Sequence, residues 1–219
     1  MQQDAHPELD WRPDGTPVST RFDDPYFSLR GGLDEARHVF LAGNDLPSRL
    51  VPGFHVAELG FGTGLNLLAL AQVAPVPIRF TSFEAFPMTP AQMARAHAAF
   101  PELAVLAGAL REGLARGPCL QLGPVAVEVV AGDVRDRLPR WRASADAWFL
   151  DGFSPARNPE MWGLPLMAQV AAHTVPGGSF ATYTAAGHVR RALAGAGFAV
   201  RRLPGFAGKR HMSAGRLPA

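Results

Sequence analysis

The regular alternation of short apolar runs with helical segments is the feature that most restricts the fold of this 219-residue chain. From residue 54 onward, runs with the length and composition of buried strands alternate with segments whose apolar residues have helical spacing. Strands separated by helices of this length predict a doubly wound, mostly parallel α/β sheet with helices on both faces. Such folds bind ligands at the carboxyl ends of the strands, near the point where the strand order reverses.

The pattern divides the chain into two parts. In the α/β part, the predicted strands are 54–59, 78–83, 125–130, 145–150, 178–184 and 198–203, and the predicted helices are 65–73, 89–100, 160–172 and 188–196. Before it, Asp14-Gly15 predicts a hairpin and residues 33–41 a short helix. We therefore expect an N-terminal extension, residues 1–45, that packs on an α/β domain, residues 46–219.

Composition argues against several other classes of protein. The single cysteine, Cys119, cannot form an internal disulfide, and we predict that it lies in a loop. No Cys/His cluster has the spacing of a zinc site, and no stretch approaches about 20 uninterrupted apolar residues. The N-terminus also lacks a basic region followed by an apolar run. We expect a cytoplasmic protein without a metal or a membrane span.

Charge is distributed unevenly along the chain, although the formal net charge is only +2. Residues 1–45 hold nine acids and four bases, whereas residues 161–219 hold seven bases and no acid. The bases of the second segment include the pairs Arg190-Arg191, Arg201-Arg202 and Lys209-Arg210. Such clustering is typical of phosphate binding in an RNA partner; a solvated helix face followed by a basic tail is the alternative.

A glycine-rich loop follows the first strand of the domain, from Glu58 to Asn66. Gly60, Gly62 and Gly64 allow sharp turns and close approach of the backbone to a ligand. The third glycine comes one residue earlier than in a dinucleotide fingerprint, and Glu58 would repel a pyrophosphate. An acidic loop suits a cofactor with cationic groups, such as S-adenosylmethionine, which carries a sulfonium and an ammonium. A nucleotide site and a purely structural turn are the alternatives.

Carboxylates also end the next two strands. Glu84 stands where an acid accepts both ribose hydroxyls of a bound nucleoside, although a solvated carboxylate is the alternative. Asp133 could accept from an adenine amino group, cap the helix that follows, or do both. The predicted cofactor-binding residues are Glu58, Gly60, Gly62, Gly64, Asn66, Glu84 and Asp133.

Asp151 follows a strand of large apolar residues and begins a loop that carries Phe153. An alkyl ammonium titrates near about pH 10, so amine methylation needs a group that positions the nitrogen and takes up its proton. We interpret Asp151 as this catalytic residue and Phe153 as an apolar or stacking wall. The alternative is an aspartate that holds the loop by hydrogen bonds. The loop lacks an Asn-Pro-Pro-Tyr sequence, and no Cys is placed to attack a pyrimidine, which argues against direct base methylation.

The chain resembles the methyltransferase domains of the bifunctional tRNA 5-methylaminomethyl-2-thiouridine biosynthesis proteins, the MnmC family. The most specific match is the string Asp151–Trp162, with the pattern Asp-Gly-Phe-x-Pro-x-x-Asn-Pro-x-Met-Trp. Further matching strings are 22–28, 40–44, 58–66, 83–87, 96–97, 100–103, 146–150, 176–191 and 205–212. The departures are mild: Ser154, Arg157 and Tyr183 stand where we expect Ala, Lys and Phe.

The resemblance implies a class I methyltransferase fold, Rossmann-like, with a final antiparallel strand. It also implies S-adenosylmethionine as cofactor and methylation of the amino group of 5-aminomethyl-(2-thio)uridine at the wobble position, in the anticodon stem-loop of tRNA. Asp151 matches the active-site carboxylate of the family. The residues expected to contact the substrate or tRNA are Phe153, Pro155, Arg157, Tyr183, Arg190, Arg191, Lys209 and Arg210. For Lys209 and Arg210, a place at the rim of the active site is the alternative to a phosphate contact.

The bifunctional family also carries an FAD-dependent oxidase domain, and this chain has no second glycine-rich nucleotide loop. We therefore expect no oxidase activity in this chain and a separate enzyme that supplies the aminomethyl precursor. Two alternatives remain open. One is a small-molecule N- or O-methyltransferase, and the other is a non-catalytic, cofactor-sensing RNA-binding subunit.

Overall fold

The computed structural model describes residues 6–28 and 31–219. The strands of these residues are β1 (Leu9–Trp11), β2 (Pro17–Ser19), β3 (Asp24–Pro25), β4 (His55–Leu59), β5 (Ile78–Glu84), β6 (Cys119–Leu122), β7 (Val125–Ala131), β8 (Ala145–Leu150), β9 (Thr174–Thr182), β10 (Ala199–Pro204) and β11 (His211–Arg216). The α-helices are α1 (Gly32–Ala36), α2 (Leu65–Val73), α3 (Pro90–His97), α4 (Ala104–Arg116), α5 (Val134–Arg137), α6 (Leu164–Ala172) and α7 (Gly187–Gly195).

Eight of these strands form one sheet in the order β10-β11-β9-β8-β4-β5-β7-β6. The strands β4, β5, β7, β8 and β9 run parallel to their neighbours within this group. The strand order reverses between β4 and β8, so the predicted doubly wound sheet is confirmed. β11 lies antiparallel between β9 and β10, which confirms the antiparallel final strand, and β6 is antiparallel to β7 at the opposite edge.

Most predicted helices are confirmed, with changes at their ends. α2 has the predicted bounds, and Thr89 caps α3 in a capping box with Gln92. The predicted helix 160–172 is instead two pieces, a 3₁₀ turn at Pro159–Trp162 and then α6. The division occurs at Gly163, because Pro165 has no N–H and favours the first turn of a new helix.

Among the elements of four or more residues, α4, β6 and β11 were not predicted from local patterns. Two glycines lower the helix propensity of α4. Cys119 begins the exposed edge strand β6, so its prediction as a loop residue is wrong; four residues give too short a run to be recognised. β11 is built largely of small residues, and a Cβ on Gly215 would lie 2.6 Å from Cε1 of Phe180. Because the strands pack closely there, β11 has small residues in place of the β-branched residues that usually indicate a strand in a sequence.

The N-terminal residues form a small antiparallel sheet, β1-β2-β3, followed by a helical segment. The backbone N–H of Thr16 bonds to the Asp14 side chain in the predicted hairpin turn. The predicted helix 33–41 is present as α1 and a π-helical turn, Arg37–Leu41. Leu33, Phe40 and their apolar neighbours are buried in the same core as β4 and α2. Within the first 45 residues, this helical segment thus belongs to the core itself.

The core occupies both faces of the large sheet, as the alternation of side chains along each strand requires. In β8, Phe149 faces a cluster with Phe80, whereas Trp148 and Leu150 face a second cluster with Phe180. These large apolar residues fix the sheet firmly beneath the loops that follow the strands. Across the described residues, no helix combines the length and the apolar character that crossing a membrane requires.

Candidate active site

A cavity of about 580 Å³ opens where β4, β5 and β8 end, beside the reversal of the strand order. Its size lies within the range of small-molecule sites. The sheet loops contribute Gly60, Gly62, Asn66, Glu84, Asp151 and Phe153 to its lining. The N-terminal segment contributes Asp24, Tyr26, Phe27 and Glu35, and the β10–β11 loop contributes Phe206 and Lys209. Predicted cofactor and reaction residues therefore meet in one cavity.

The glycine loop has backbone geometry that other residues would strain. Gly60 and Gly62 have φ angles of 82° and 52°, in the left-handed region. A Cβ on Gly60 would lie 3.3 Å from Cα of Gly152, and one on Gly62 would lie 3.1 Å from Cδ1 of Tyr26. The loop from β4 thus passes closely between the loop after β8 and the N-terminal aromatic residues. The absent side chains leave its backbone open to a ligand.

Glu84 faces the cavity and holds the glycine loop. Its Oε2 accepts from the backbone N–H of Gly62 at 2.9 Å, and its Oε1 accepts from that of Phe86 at 2.8 Å. Burial raises the pKa of Glu84, and these backbone N–H groups oppose the rise. Each oxygen retains a lone pair for a further donor. This placement fits the predicted ribose contact, which stays a prediction.

Glu58 lies beneath the loop and does not line the cavity. Its side chain is fully buried, and its oxygens accept from Asn66 Nδ2 at 2.9 Å and from Ser82 Oγ at 2.7 Å. Burial raises its pKa well above the ordinary range, against the effect of these two donors. The expectation that Glu58 itself faces a cationic cofactor therefore needs correction. Glu84 and Asp151 are the strand-end carboxylates that line the cavity.

Asp151 is held in place by two donors at the cavity wall. Its Oδ2 accepts from Asn66 Nδ2 at 2.8 Å, and its Oδ1 accepts from the backbone N–H of Gly152 at 2.8 Å. Burial raises the pKa of Asp151 to about 6; the two hydrogen bonds lower it, and the nearby charge of Glu35 raises it further. A carboxylate of this pKa, facing a cavity, is suited to take up a proton near neutral pH.

Aromatic side chains of the N-terminal segment pack against Phe153. Its ring stacks on Phe22 with centroids 4.6 Å apart, and Tyr26 meets it edge-on at 5.0 Å. The backbone N–H of Ser154 donates to Asp24 at 2.7 Å, and Trp162 Nε1 donates to the Phe153 carbonyl at 2.9 Å. Phe153 therefore lines the cavity among other aromatic rings, and its role as an apolar or stacking wall stays a prediction. The roles of the N-terminal residues were not predicted, although the string 22–28 carried part of the resemblance.

Tyr183, Lys209 and Glu35 lie together at the cavity wall. The Tyr183 hydroxyl donates to the Gly152 carbonyl at 2.8 Å, and burial raises its pKa well above the ordinary value. Lys209 Nζ lies 2.7 Å from Glu35 Oε1 and 4.5 Å from the centroid of the Tyr183 ring. Lys209 thus lies at the cavity, which is one of the two places expected for it, and a contact with RNA phosphate stays a prediction.

His97, on α3, supports the glycine loop from behind. Its Nδ1 faces Arg111 at 3.0 Å, and its Nε2 faces the Thr63 carbonyl at 2.7 Å. Because arginine is always a donor, Nδ1 accepts and Nε2 carries the proton that it donates to Thr63. Burial lowers the pKa of His97 and so favours this neutral form. Its position in a matching string was the only sequence signal for this role.

Asp133, Pro155 and Arg157, like Glu58, lie outside the cavity lining. Asp133 caps α5 by accepting from the backbone N–H of Arg135 at 2.9 Å, and the Arg135 side chain also bonds to its carboxylate. These bonds lower the pKa of Asp133. Capping is thus confirmed, and the adenine contact stays a prediction. Arg157 forms an exposed ion pair with Asp23 at 2.8 Å, and Pro155 lies in the same loop.

The remaining predicted contacts lie near the same edge of the sheet. Arg190 and Arg191 are on α7, which begins shortly after the carboxyl end of β9, and Arg210 is exposed in the β10–β11 loop. Arg190 Nε donates to the Ala185 carbonyl at 3.3 Å. These side chains therefore lie on the side of the sheet where the cavity opens. Contact with RNA stays a prediction for all three.

The topology and the site together define the class of this protein. A sheet whose antiparallel strand lies next to its last parallel strand, with a glycine loop and a strand-end carboxylate at the reversal point, is that of a class I methyltransferase. The cavity fits S-adenosylmethionine, because Glu84 can accept ribose hydroxyls, the bare Gly60–Gly62 backbone allows close approach, and the carboxylates suit cationic groups. The chain belongs to the family of S-adenosyl-L-methionine-dependent methyltransferases, whose family model matches residues 106–218.

Similar proteins confirm the resemblance inferred from the motifs. The chain is 46% identical over 96% of its length to the tRNA 5-methylaminomethyl-2-thiouridine biosynthesis bifunctional protein MnmC of Chromobacterium violaceum. It is also 46% identical over 99% of its length to the protein of that name from Ectopseudomonas mendocina. It spans about a third of the length of these relatives, 34% and 36%.

A solved structure agrees with this assignment of the fold. The crystal structure of MNMC2 from Aquifex aeolicus aligns with a TM-score of 0.78 and 26% sequence identity. The alignment covers all of this chain and 72% of that one. TrmN from Thermus thermophilus, at 21% identity and a TM-score of 0.54, shares the fold.

Proposed function

We propose that this chain transfers a methyl group to the primary amine of 5-aminomethyl-(2-thio)uridine at the wobble position of tRNA. The observation that carries the proposal is the 46% identity, over nearly the whole chain, to proteins named for 5-methylaminomethyl-2-thiouridine biosynthesis. The cavity supports it, because Asp151 stands at its wall with a pKa raised to about 6. A proton acceptor beside a methyl donor is what amine methylation requires.

The residues of the cavity have separate roles in the proposed methyl transfer. S-adenosylmethionine, when bound, supplies the electrophilic methyl group. Asp151 takes one proton from the substrate ammonium, so that its carboxylate becomes a neutral carboxyl and the nitrogen gains a free lone pair. Asn66 and the Gly152 N–H hold that carboxylate at one orientation. Phe153 and Tyr26 exclude water from one wall, which keeps the amine deprotonated while it reacts.

RNA binding in this proposal uses bases beside the cavity, of which Arg191 and Arg210 are exposed and Arg190 is half-buried. Arg190, Arg191 and Arg210 lie on the edge of the molecule where the cavity opens, in a segment that has no acid after residue 160. Contacts of arginine with phosphates are independent of sequence and sensitive to salt. They would position an anticodon stem-loop while the wobble base enters the cavity.

The proposal also concerns the source of the substrate and the compartment in which the reaction takes place. The substrate already carries an aminomethyl group, so a separate enzyme activity must supply it before this step. The reaction takes place in the cytoplasm, where tRNA is modified. Both statements depend on the substrate proposed above.

Nucleoside mass spectrometry tests the proposed function. Undermodified tRNA that carries 5-aminomethyl-2-thiouridine is incubated with the protein and S-adenosylmethionine, and its nucleosides are then separated. We expect conversion to the methylaminomethyl nucleoside by the wild-type protein and none by Asp151→Ala. Absence of conversion by the wild-type protein, with cofactor binding intact by calorimetry, would overturn the proposed substrate.

A further inference from the structure

Three groups at one side of the cavity form a small binding site for an ammonium ion. Lys209 Nζ lies 2.7 Å from the Glu35 carboxylate, and the same nitrogen is 4.5 Å from the Tyr183 ring centroid. A carboxylate opposite an aromatic face is a general arrangement for holding an alkyl ammonium. The occupant in this structure belongs to the chain itself.

The charges along the cavity favour a cation there. Among the described residues, the lining includes the carboxylates Asp24, Glu35, Glu84 and Asp151, and the basic side chains Arg12 and Lys209. The Glu35 side chain is only 12% exposed, so its carboxylate, once unpaired, would be poorly solvated. A cation that takes the place of Lys209 would restore the pairing of this carboxylate.

Lys209 is well placed to leave. Its side chain is 47% exposed and carries a compact charge at the end of a flexible stem. It belongs to the loop between β10 and β11, where Ala207 has a φ of 49° and nothing lies within 4 Å of a Cβ built on Gly208. An ion pair that is half open to water contributes little to stability, so exchanging its cation costs little.

We propose that Glu35 and Tyr183 form the seat for the ammonium of the incoming substrate, and that Lys209 occupies this seat until the substrate displaces it. The inference rests on the proposed function, because that function supplies an alkyl ammonium as substrate. Asp151 lines the same cavity and is close enough to Glu35 for the two charges to interact.

The seat would act as a determinant of specificity. A tRNA whose wobble uridine lacks the amino group cannot replace Lys209, so it leaves the seat as it is and gains no contact there. An aminomethyl group replaces the half-exposed Lys209 pair with a charge-assisted hydrogen bond to Glu35 that the bound tRNA shields from water. Interactions of this strength correspond to roughly a 10- to 100-fold difference in affinity.

The test compares two tRNAs that differ only in the aminomethyl group of the wobble uridine. Their dissociation constants are measured with S-adenosylhomocysteine present, so that no methyl transfer occurs. We expect the wild-type protein to prefer the aminomethyl tRNA, and Glu35→Gln to reduce that preference about tenfold or more. The double variant Glu35→Gln/Lys209→Met should lose this preference to the same extent as Glu35→Gln, and it contains no Lys209 that would be left without a partner. Glu102→Gln, an exposed acid on another element, serves as the matched control and should keep the preference.

Lys209→Met separates displacement from phosphate binding. The proposal expects an unchanged or larger preference and an unchanged dependence on salt, because the seat is then already vacant. Equal weakening of both tRNAs, with a salt slope reduced by about one, would show that Lys209 contacts a phosphate and would overturn the displacement. An unchanged preference in Glu35→Gln, in a protein that still methylates the aminomethyl tRNA, overturns the seat alone. A wild-type protein that methylates neither tRNA overturns the proposed function.

Discussion

The side-chain nitrogen of Asn66 donates to the Asp151 carboxylate at 2.8 Å. The same nitrogen donates to the buried carboxyl of Glu58 at 2.9 Å, so both of its hydrogens are used. Because β4 and β8 are adjacent strands, this single amide joins the acids at their two ends. The orientation of the Asp151 carboxylate therefore depends on Glu58, which is fully buried and cannot contact a ligand.

Replacing Asn66 with Ala should therefore reduce both stability and turnover. The change leaves Glu58 short of a donor in a fully buried site, which costs on the order of 1–3 kcal/mol. It also removes a donor from Asp151, whose orientation is then less restricted. Thermal unfolding and kcat measure the two effects. Gln72→Ala, on the exposed end of the same helix, is the matched control, and an Asn66→Ala protein with wild-type kcat would contradict the link.

Asp151→Ala should abolish most turnover while it retains most of the affinity for S-adenosylmethionine. The loss of a general base typically costs about 10²- to 10⁴-fold in rate. The wild-type profile of kcat/KM should rise with pH around 6, and the variant should lack that limb. Steady-state kinetics and calorimetry separate the two quantities. Asp136→Ala, an exposed acid on α5, should behave as the wild type; an unimpaired Asp151→Ala enzyme would exclude the assigned role.

The same carboxyl should make stability depend on pH. Its pKa is about 6 in the folded protein against an ordinary 3.8, so the folded state binds this proton more tightly than the unfolded chain. The contribution to stability is therefore present below about pH 4 and lost as the pH rises through about 6. Asp151→Asn removes the cost of the buried charge. Its melting temperature should exceed that of the wild type by a few degrees at pH 8, with the difference closing near pH 4. A difference independent of pH would contradict this origin.

Part of the site follows from the sequence because parallel strands bring their carboxyl ends to one edge. Glu84 and Asp151 each come directly after an apolar run. Once the order of the strands is known, their proximity to the Gly60–Gly64 loop can therefore be predicted. The bounds of α2 were likewise predictable, since Gly64 precedes an unbroken run of helix formers.

The other half of the cavity has no local signature. Tyr26 and Glu35 belong to a segment outside the α/β pattern, and Lys209 is 174 positions from the acid that it contacts. Counting charges by position put Lys209 with the arginines, because an acid-free segment gives no sign of a distant partner. Glu58 was expected at the ligand for a similar reason, since the direction of a side chain at a strand end depends on the packing beneath it.

Gly62→Ala should weaken cofactor binding. A φ of 52° costs an alanine about 1 kcal/mol, and the new Cβ would lie 3.1 Å from the Tyr26 ring, so the loop must shift. We expect about a tenfold lower affinity for S-adenosylmethionine by calorimetry. Gly108→Ala is the matched control, because that glycine is within α4 with nothing near its Cβ. It should keep the affinity and gain about 0.5–1 kcal/mol of stability. If Gly62→Ala and Gly108→Ala bind S-adenosylmethionine with equal affinity, the glycine loop does not contact the cofactor.

Reversing the charge of Arg190 and Arg191 to Glu should weaken tRNA binding without changing the affinity for S-adenosylmethionine. Each lost phosphate contact removes about 0.9 from the slope of the logarithm of affinity against the logarithm of salt concentration. Arg140→Glu/Arg142→Glu provides the matched control, because these exposed arginines precede the amino end of β8, opposite the cavity. Filter binding at several salt concentrations measures both proteins. Should both double variants lose the same affinity, the effect would reflect net charge alone, and α7 would have no place in the RNA interface.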